Sequence, residues 1–524
     1  MTRHRFLDMG YLVLLWFFMT LPLLIMRPLW PIIETRYISV AWEMWLRHDF
    51  LVPYLNGAPY SHKPPLLFWT IQLGWWLFGV NSWWPRVVPS LYTFGSIIIA
   101  LRIGRLLWPE RREIASFLPF LLFGSLLLTF YMTFIMFDLL VTFSAVLGMY
   151  GLLLSLLRKR LTGFLLFGIG IGLGILSKGP VILVVLMPVA LSAPWWGKGH
   201  ARQSWWAWYG GVFASLLLGA SIALAWALPA ANSGGEAYAQ ALLWKQTADR
   251  MVQSFAHQQP WWWYLPLLPL LLFPWPWLPS LWRAAGRLDF QDLGMRFCLA
   301  WLILPLLFFS MISGKQVHYL LPIFPAFALL ASKLATGVSF SRRDYLPQVI
   351  LFGCLAGVWL VLPFLSRGLK LPSWVQELPP AYGIVMVLFC LAFLLISRRL
   401  RGWDVKAMTT LTVLYLVVLQ AGILQGAAEF YDIRPLSAYL AQVQEKGYPI
   451  ANAAKYEGQY HFLGRLQKPL EVITDEEVSG WLASHQQGRV VRYLRQWPQD
   501  IEQLVEYEQP FRGQYAVVVA ASSP

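Results

Sequence analysis

Long apolar runs alternate with short polar segments over most of the chain. Thirteen runs have the length of about 17–25 residues that a helix needs to cross a bilayer. They lie at 9–30, 84–107, 115–132, 138–157, 161–177, 179–196, 207–230, 262–282, 296–313, 318–335, 347–366, 380–397 and 407–428. The first run is too long for a removed signal peptide and lacks a small-residue cleavage site, which predicts an anchor. We therefore expect a polytopic α-helical membrane protein with about thirteen transmembrane helices.

The segment 31–83 departs from this pattern between the first two runs. Residues 36–47 place charged side chains on one helical face and Ile38, Trp42 and Trp45 on the opposite face. This pattern predicts an amphipathic helix in the membrane interface, and 66–79 predicts a second one. Between them, turn signals and the pair Pro64-Pro65 exclude a continuous helix. Lys63 is therefore expected on a loop held over the membrane surface.

The last 94 residues, 431–524, are polar and mix two periodicities. Helical patterns cover 435–446 and 475–486, and β-rich runs cover 448–452, 489–494 and 514–520. Such alternation predicts a small α/β domain outside the membrane, following a transmembrane domain at 1–430. Neither a phosphate-binding glycine loop nor a metal-spaced His/Cys set occurs in this segment.

Composition supports the membrane assignment, since 58% of the 524 residues are hydrophobic and only 13% are charged. The net charge of +15 falls in short Lys/Arg clusters within every alternate loop, which is the positive-inside pattern and not that of a nucleic-acid partner. The pattern predicts a cytoplasmic amino terminus and an extracytoplasmic carboxy terminus. The three cysteines lie in apolar segments and indicate no disulfide framework; they are Cys298, Cys354 and Cys390.

With this topology, a set of ionisable residues gathers at the non-cytoplasmic membrane boundary. A single such residue is often an interfacial side chain with its charge in water, but a charge at this depth is costly unless it is paired or faces a wet cavity. Two cations near a carboxylate suit a lipid phosphate. Group transfer, lipid binding and transport all remain open. The set is Glu34, Arg36, Glu43, His62, Lys63, Asp138, Lys178, Glu236, Lys245, His257, Lys315 and His318.

The run ETRYISVAWEMWLRHDFLVPYLNGAPYSHKPPLLFW, 34–69, resembles the first outer loop of the lipid A aminoarabinose transferases. These enzymes are related to protein O-mannosyltransferases and share the GT-C fold of membrane glycosyltransferases. The resemblance implies transfer of a sugar from a polyprenyl-phosphate carrier, such as undecaprenyl phosphate, to a lipid A-like or other envelope acceptor. It also implies a periplasmic site on a bacterial inner membrane.

The resemblance further implies roles for particular residues. The positions that match the family's donor-phosphate site are Arg36, Tyr60, Lys63, Lys178 and Tyr319. The family's first loop begins with an Asp-Glu pair whose Asp is central to catalysis, whereas this chain has Ile33-Glu34. Asp138 matches a second acidic position. Asp138 and Glu34 are therefore the candidate catalytic residues, with Asp138 favoured.

His62 stands where relatives commonly have a Glu linked to a divalent metal, and His257 matches a histidine of the family. Two imidazoles suit zinc better than magnesium, which predicts zinc as a cofactor bound by His62 and His257. Loss of the Asp at position 33 leaves a catalytically impaired lipid-phosphate-binding relative as an alternative. A transporter or flippase of lipid-linked sugars is the other alternative, against which stand the odd helix count and the absence of internal repeats.

Overall fold

A computed structural model describes residues 2–158, 161–201, 203–245, 258–286, 288–369, 371–399, 403–495 and 504–521. His257 lies outside the described residues. Helices of residues 2–240 are α1 Thr2–Met26, α2 Glu34–Arg47, α3 Leu66–Phe78, α4 Trp84–Leu107, α5 Arg112–Phe123, α6 Leu126–Tyr131, α7 Asp138–Arg158, α8 Leu161–Lys178, α9 Val181–Leu191, α10 Ala193–Trp196, α11 Trp205–Gly234 and α12 Glu236–Gln240. A π-helical turn follows at Ala241–Lys245.

The second half of the membrane part contains further helices. The α-helices are α13 Tyr264–Leu271, α14 Pro279–Ala285, α15 Leu293–Met311, α16 Phe324–Ala335, α17 Leu346–Leu365, α18 Pro380–Ile396 and α19 Asp404–Tyr431. Short 3₁₀ helices lie at Trp275–Trp277, Val317–Ile323, Arg342–Tyr345, Ser373–Glu377 and Ser397–Arg399.

Nine helical segments of the described residues are long and apolar enough to cross a membrane. They coincide with nine of the thirteen predicted spans. The other four predicted spans, at 115–132, 179–196, 262–282 and 380–397, form shorter or broken helices. The prediction of a polytopic helical membrane protein is confirmed, whereas the count of thirteen continuous spans is not.

Prolines and tertiary contacts break two of those four segments, 262–282 and 115–132. The segment 262–282 contains Pro269, Pro274, Pro276 and Pro279, each of which lacks the N–H that a helix interior uses. The segment 115–132 is interrupted between α5 and α6, where the N–H of Leu126 donates to a carbonyl of the other broken segment, Phe273, over 2.9 Å. A backbone N–H of one broken segment is thus paired with a backbone carbonyl of the other. Such pairing is needed inside a membrane, where no water is present to bond these groups.

Close packing of α7 against α8 determines where the site forms. A Cβ at Gly151 would lie 2.5 Å from the Gly163 carbonyl oxygen, and one at Gly170 would lie 2.8 Å from the Gly148 nitrogen. Glycine is thus needed for the two backbones to approach this closely. Because the helices are consecutive and antiparallel, the first residue of α7 lies beside the last residue of α8.

The segment 31–83 folds as α2, a short hairpin and α3. The hairpin strands are β1 Tyr54–Leu55 and β2 Ala58–Pro59, paired antiparallel. The helix predicted over 36–47 is present, but protein covers both of its faces, because α3 and the carboxy-terminal unit pack against it. The helix itself is thus confirmed, and its position in the membrane interface stays a prediction. Its polar face is used for contacts within the protein.

The carboxy-terminal unit is built on a five-stranded mixed sheet. Its strands are β3 Ile450–Asn452, β4 Glu471–Val472, β5 Arg489–Leu494, β6 Val505–Phe511 and β7 Gln514–Ala520, in the order β4-β3-β5-β7-β6. Strand β3 pairs parallel with β4 and β5, and β7 pairs antiparallel with β5 and β6. Its helices are α20 Arg434–Glu445, α21 His461–Gly464 and α22 Val478–Ser484. The pattern missed β4, β6 and α21.

Candidate active site

Asp138 is the first residue of α7, and its side chain lies at the centre of the site. It is 5% exposed. Its Oδ1 accepts a hydrogen bond of 2.6 Å from Lys178 Nζ, at the end of α8. Its Oδ2 lies 3.8 Å from His318 Nε2. The antiparallel α7–α8 pair thus joins two residues that are 40 positions apart in sequence.

The 3₁₀ helix Val317–Ile323 lines a second side of the site. It packs against α7 and carries His318 and Tyr319. The ammonium of Lys178 lies 4.2 Å from the centre of the Tyr319 ring, a cation–π contact that fixes the lysine between a ring and a carboxylate. Three predicted site residues, Asp138, Lys178 and Tyr319, are therefore in direct contact.

Lys63 approaches the same point from the first loop. Its Nζ lies 5.7 Å from the ring centre of Phe137, the residue preceding Asp138, and its charge acts on the Asp138 carboxylate. Glu43 fixes the hairpin before Lys63 by accepting hydrogen bonds from the N–H groups of Asn56 and Gly57. Hydrogen bonds to Glu43 of α2, in addition to the prolines, therefore hold the loop in place.

Arg36 and Tyr60 complete the cationic side of the site. Tyr60 is 7% exposed and lies 5.3 Å, ring to ring, from His62. The charge of Arg36 is close enough to interact with Tyr60, and its guanidinium lies 5.1 Å from the ring centre of Tyr37. The Tyr37 ring in turn contacts Phe137 edge-on at 4.9 Å. Tyr37 and Phe137 therefore connect Arg36 to the Asp138 cluster.

Glu34 does not face this cluster. Both of its oxygens accept hydrogen bonds from Arg27, at 2.8 and 2.9 Å, and the backbone N–H groups of Trp30 and Ile135 donate further bonds of 3.0 Å. The residue is 0% exposed. A catalytic role for Glu34 is at odds with this geometry, because its carboxylate is fully engaged and inaccessible. Its contacts tie the end of α1 to the loop before α7.

The backbone at Ile32, the residue before position 33, is unusual. Ile32 adopts φ of 73°, a left-handed conformation that strains a β-branched residue. Ile33 is 48% exposed and has only an apolar side chain to offer. Strained backbone often persists at functional sites because the surrounding structure holds it there. Residue 33 is therefore exposed next to a strained residue, but its side chain carries no carboxylate.

A metal at His62 and His257 stays a prediction. Within the part of the chain that the structure describes, no group of three or more His, Cys, Asp or Glu side chains could hold a metal ion. The rings of His62 and Tyr60 lie 5.3 Å apart, and the second predicted ligand, His257, lies outside the described residues. We therefore derive no chemical step through a metal.

Three residues that matter to this geometry were not selected from the sequence. Arg27 neutralises Glu34, Phe137 separates Lys63 from Tyr37, and Glu457 forms an ion pair with Arg36. Arg27 follows the first span and could have been noticed as a charge at a membrane boundary. Nothing local marks Glu457, which is 421 positions from its partner.

Comparisons with known proteins show where this site belongs. The dolichyl-phosphate-mannose-protein mannosyltransferase family matches residues 62–226. The undecaprenyl phosphate-alpha-4-amino-4-deoxy-L-arabinose arabinosyl transferase 2 of Pseudomonas fluorescens is 30% identical over 405 residues, covering 74% of this chain and 71% of the relative. The corresponding transferase of Aeromonas salmonicida is 32% identical over 403 residues, covering 73% and 71%.

The chain belongs to this family of arabinosyl transferases. The predicted relationship to the lipid A aminoarabinose transferases is thereby confirmed, and this transferase is a multi-pass protein of a bacterial inner membrane.

Its fold is also that of a known crystal structure. ArnT from Cupriavidus metallidurans, solved in the apo state and bound to undecaprenyl phosphate, superposes with a TM-score of 0.74 in both states. The alignments cover 100% of the transferase and 99% of the neighbour, at 18% and 19% sequence identity. At such identity the likeness concerns the fold, which confirms the predicted GT-C architecture.

Proposed function

We propose that this transferase moves 4-amino-4-deoxy-L-arabinose from undecaprenyl phosphate to a lipid A-like acceptor on the periplasmic face of the inner membrane. The observation that carries the proposal is the convergence of Lys63, Lys178 and Tyr319 on Asp138. Support for the substrates comes from the relatives, which are named for the undecaprenyl phosphate-linked sugar, and from the undecaprenyl phosphate bound to the crystallised neighbour.

In this reaction an acceptor oxygen attacks the anomeric carbon of the sugar. The bond from that carbon to the carrier phosphate oxygen breaks, and undecaprenyl phosphate leaves with the bonding electrons. Negative charge on the phosphate therefore grows in the transition state. Lys63 and Arg36 are placed to stabilise this charge more strongly in the transition state than in the ground state, which is the requirement for catalysis.

Asp138 is placed to accept the proton of an acceptor hydroxyl. Lys178 holds its Oδ1, whereas Oδ2 is 3.8 Å from His318 Nε2, beyond ordinary hydrogen-bond length. Oδ2 can thus receive a proton as the acceptor oxygen bonds to carbon. One-step displacement needs a single carboxylate within reach of that proton, so a second acid at position 33 is not required.

Lys63→Ala should lower kcat/KM for the undecaprenyl phosphate-linked donor by about 10- to 100-fold, because a hydrogen bond to a charged group is worth about 1.5–3 kcal/mol. Purified protein in nanodiscs is incubated with radiolabelled donor and lipid A, and labelled lipid A is counted. Lys198→Ala, at an exposed lysine in a loop predicted to be cytoplasmic, serves as the matched control. Unchanged kcat/KM for Lys63→Ala would remove the phosphate contact from the proposal.

The proposed topology places 1–430 in the membrane and 431–524 in the periplasm, with a cytoplasmic amino terminus. A cysteine at position 455, whose native side chain is 85% exposed, should react with a membrane-impermeant maleimide in intact spheroplasts. A cysteine at position 198 should react only after permeabilisation. Both variants are made after replacement of the exposed Cys354 by Ser. The reverse labelling pattern would contradict the orientation.

A further inference from the structure

One segment of the carboxy-terminal unit, residues 457–470, lies directly against the first loop. The Ser39 hydroxyl of α2 donates to the Gly458 carbonyl over 2.6 Å and accepts from the Phe462 N–H over 3.2 Å. The Trp42 indole N–H donates to the Leu466 carbonyl over 3.0 Å. Backbone groups of this segment thus find partners on α2, which fixes its position along the helix.

Two further contacts hold the same segment. The Asn56 side chain donates to the Leu470 carbonyl over 2.9 Å and accepts from the Leu470 N–H over 2.8 Å. The Phe462 ring stacks on Trp75 of α3 at 5.3 Å, with 1° between the ring planes. Phe462 belongs to the same buried cluster as the apolar residues of the first loop. The contact is therefore an extension of the loop's own core.

The packing of 457–470 on the first loop places the Glu457 side chain beside Arg36. Gly458, the next residue, has φ of +72°, and a Cβ there would lie 2.6 Å from Leu55 Cδ1. Only glycine allows the chain to turn so close to the hairpin. Glu457 then forms an ion pair with Arg36 Nη1 through Oε2, and its Oε1 lies 2.7 Å from Lys455 Nζ.

The ionised form of Glu457 is favoured by these partners. Burial raises the pKa of its carboxyl, but the hydrogen bonds and charges of Lys455 and Arg36 more than offset burial, so the pKa lies below its ordinary value. Glu457 is thus an anion at neutral pH. It orients the guanidinium by a charge-assisted hydrogen bond.

The other donors of the Arg36 guanidinium are held less tightly than Nη1. Among the described residues, Nη2 donates one long hydrogen bond, of 3.4 Å, to the Tyr37 hydroxyl. Nε is buried and has no hydrogen-bond partner among the described residues. Because the guanidinium is a rigid plane of donors, an arginine held through Nη1 has its remaining donors fixed in direction.

We infer that Glu457 is a positioning residue of the donor site: through its ion pair with Nη1, it holds the Arg36 guanidinium in the orientation that binds the carrier phosphate. The carboxy-terminal unit thereby contributes to donor binding, although its own residues do not touch the donor. This inference rests on the proposed function, in which Arg36 binds the phosphate.

A double-mutant cycle tests the inference. The dissociation constant for undecaprenyl phosphate and the separate kcat and KM values are measured for wild type, Arg36→Ala, Glu457→Ala and the double variant, in nanodiscs. We expect Glu457→Ala to raise the dissociation constant and KM by about 5- to 20-fold, with a smaller change in kcat. In the Arg36→Ala background it should have no further effect.

Two variants control for folding and for general surface effects. Glu457→Gln retains a hydrogen-bond acceptor for Nη1, so it should recover part of the donor affinity lost in Glu457→Ala. Glu476→Ala, at an exposed carboxylate of the same unit, should bind donor as wild type does. Equal thermal midpoints across the set show that the docked segment remains folded.

The outcomes separate the inference from the proposed function. If Arg36→Ala leaves donor affinity unchanged, the phosphate-binding role of Arg36 is wrong and the proposed function loses that contact. If Arg36→Ala weakens donor binding but Glu457→Ala does not, only the positioning role is overturned. Additive effects in the double variant would also overturn it, since a positioning residue acts through Arg36 alone.

Discussion

Asp138→Asn should abolish detectable transfer. An amide cannot accept the acceptor's proton, and general-base catalysis typically contributes about 10²- to 10⁴-fold. The amide keeps the size of the carboxylate and an oxygen for Lys178 to contact, so the α7–α8 junction should stay folded. Donor binding should persist or strengthen, because a negative charge near the phosphate is removed. Turnover and donor affinity are therefore measured on the same preparation.

Asp292→Asn is the matched control for this experiment. Asp292 forms an ion pair of 2.9 Å with Lys333, far along the chain from the proposed site. Its substitution removes a similar ion pair, and the amide keeps an oxygen for the Met295 N–H, so kcat per folded molecule should stay within about twofold of wild type. Transfer by Asp138→Asn at more than a tenth of the wild-type rate would exclude Asp138 as the base.

Glu34→Ala should strongly destabilise the protein. The substitution leaves Arg27 buried at 3% exposure without its carboxylate, and breaking a buried ion pair costs about 3–5 kcal/mol. It also removes the acceptor for the N–H groups of Trp30 and Ile135. The thermal midpoint of unfolding should fall by several degrees, whereas kcat per folded molecule should remain close to that of wild type.

An exposed carboxylate provides the comparison for Glu34. Glu110→Ala should leave the thermal midpoint unchanged, since Glu110 lies exposed between α4 and α5. A second variant, Arg27→Met with Glu34→Leu, replaces both charges by apolar side chains and should recover part of the lost stability. An unchanged midpoint with a large loss of kcat in Glu34→Ala would instead support the catalytic role predicted from the sequence.

The membrane part of the fold could be read from the sequence because its main signal is local. A run of apolar residues long enough to cross the bilayer predicts a helix whatever packs against it. The prolines of 262–282 are a local signal for its break, but the interruption of 115–132 involves a contact between distant segments, the hydrogen bond from Leu126 to Phe273. Length alone cannot predict such exchange of backbone partners.

The site could be predicted as a set of residues but not as an arrangement. Depth and charge selected Asp138 and Lys178, and the glycine-mediated packing of α7 on α8 makes them a pair. The same criterion selected Glu34, whose buried partner Arg27 gives it a structural role. Sequence cannot distinguish these two carboxylates, because the difference lies in what each one contacts.

The carboxy-terminal unit shows the same limit at longer range. Its strands at 489–494 and 514–520 were predicted with these bounds, because both runs are rich in β-branched and aromatic residues. The docking of 457–470 on α2 could not be predicted, since its hydrogen bonds join residues more than 400 positions apart and use mostly backbone groups. That docking brings Glu457 of the α/β unit into an ion pair with Arg36.

The central claim is that this chain transfers a sugar from undecaprenyl phosphate with Asp138 as base and without a carboxylate at position 33. The most direct test is single-turnover transfer from radiolabelled undecaprenyl phosphate-aminoarabinose to lipid A by wild type and by Ile33→Asp, at equal folded amounts. We expect measurable transfer by wild type and equal or faster transfer by Ile33→Asp. A wild type without detectable transfer, alongside an active Ile33→Asp variant, would contradict the claim and identify a lipid-phosphate-binding relative that has lost its chemistry.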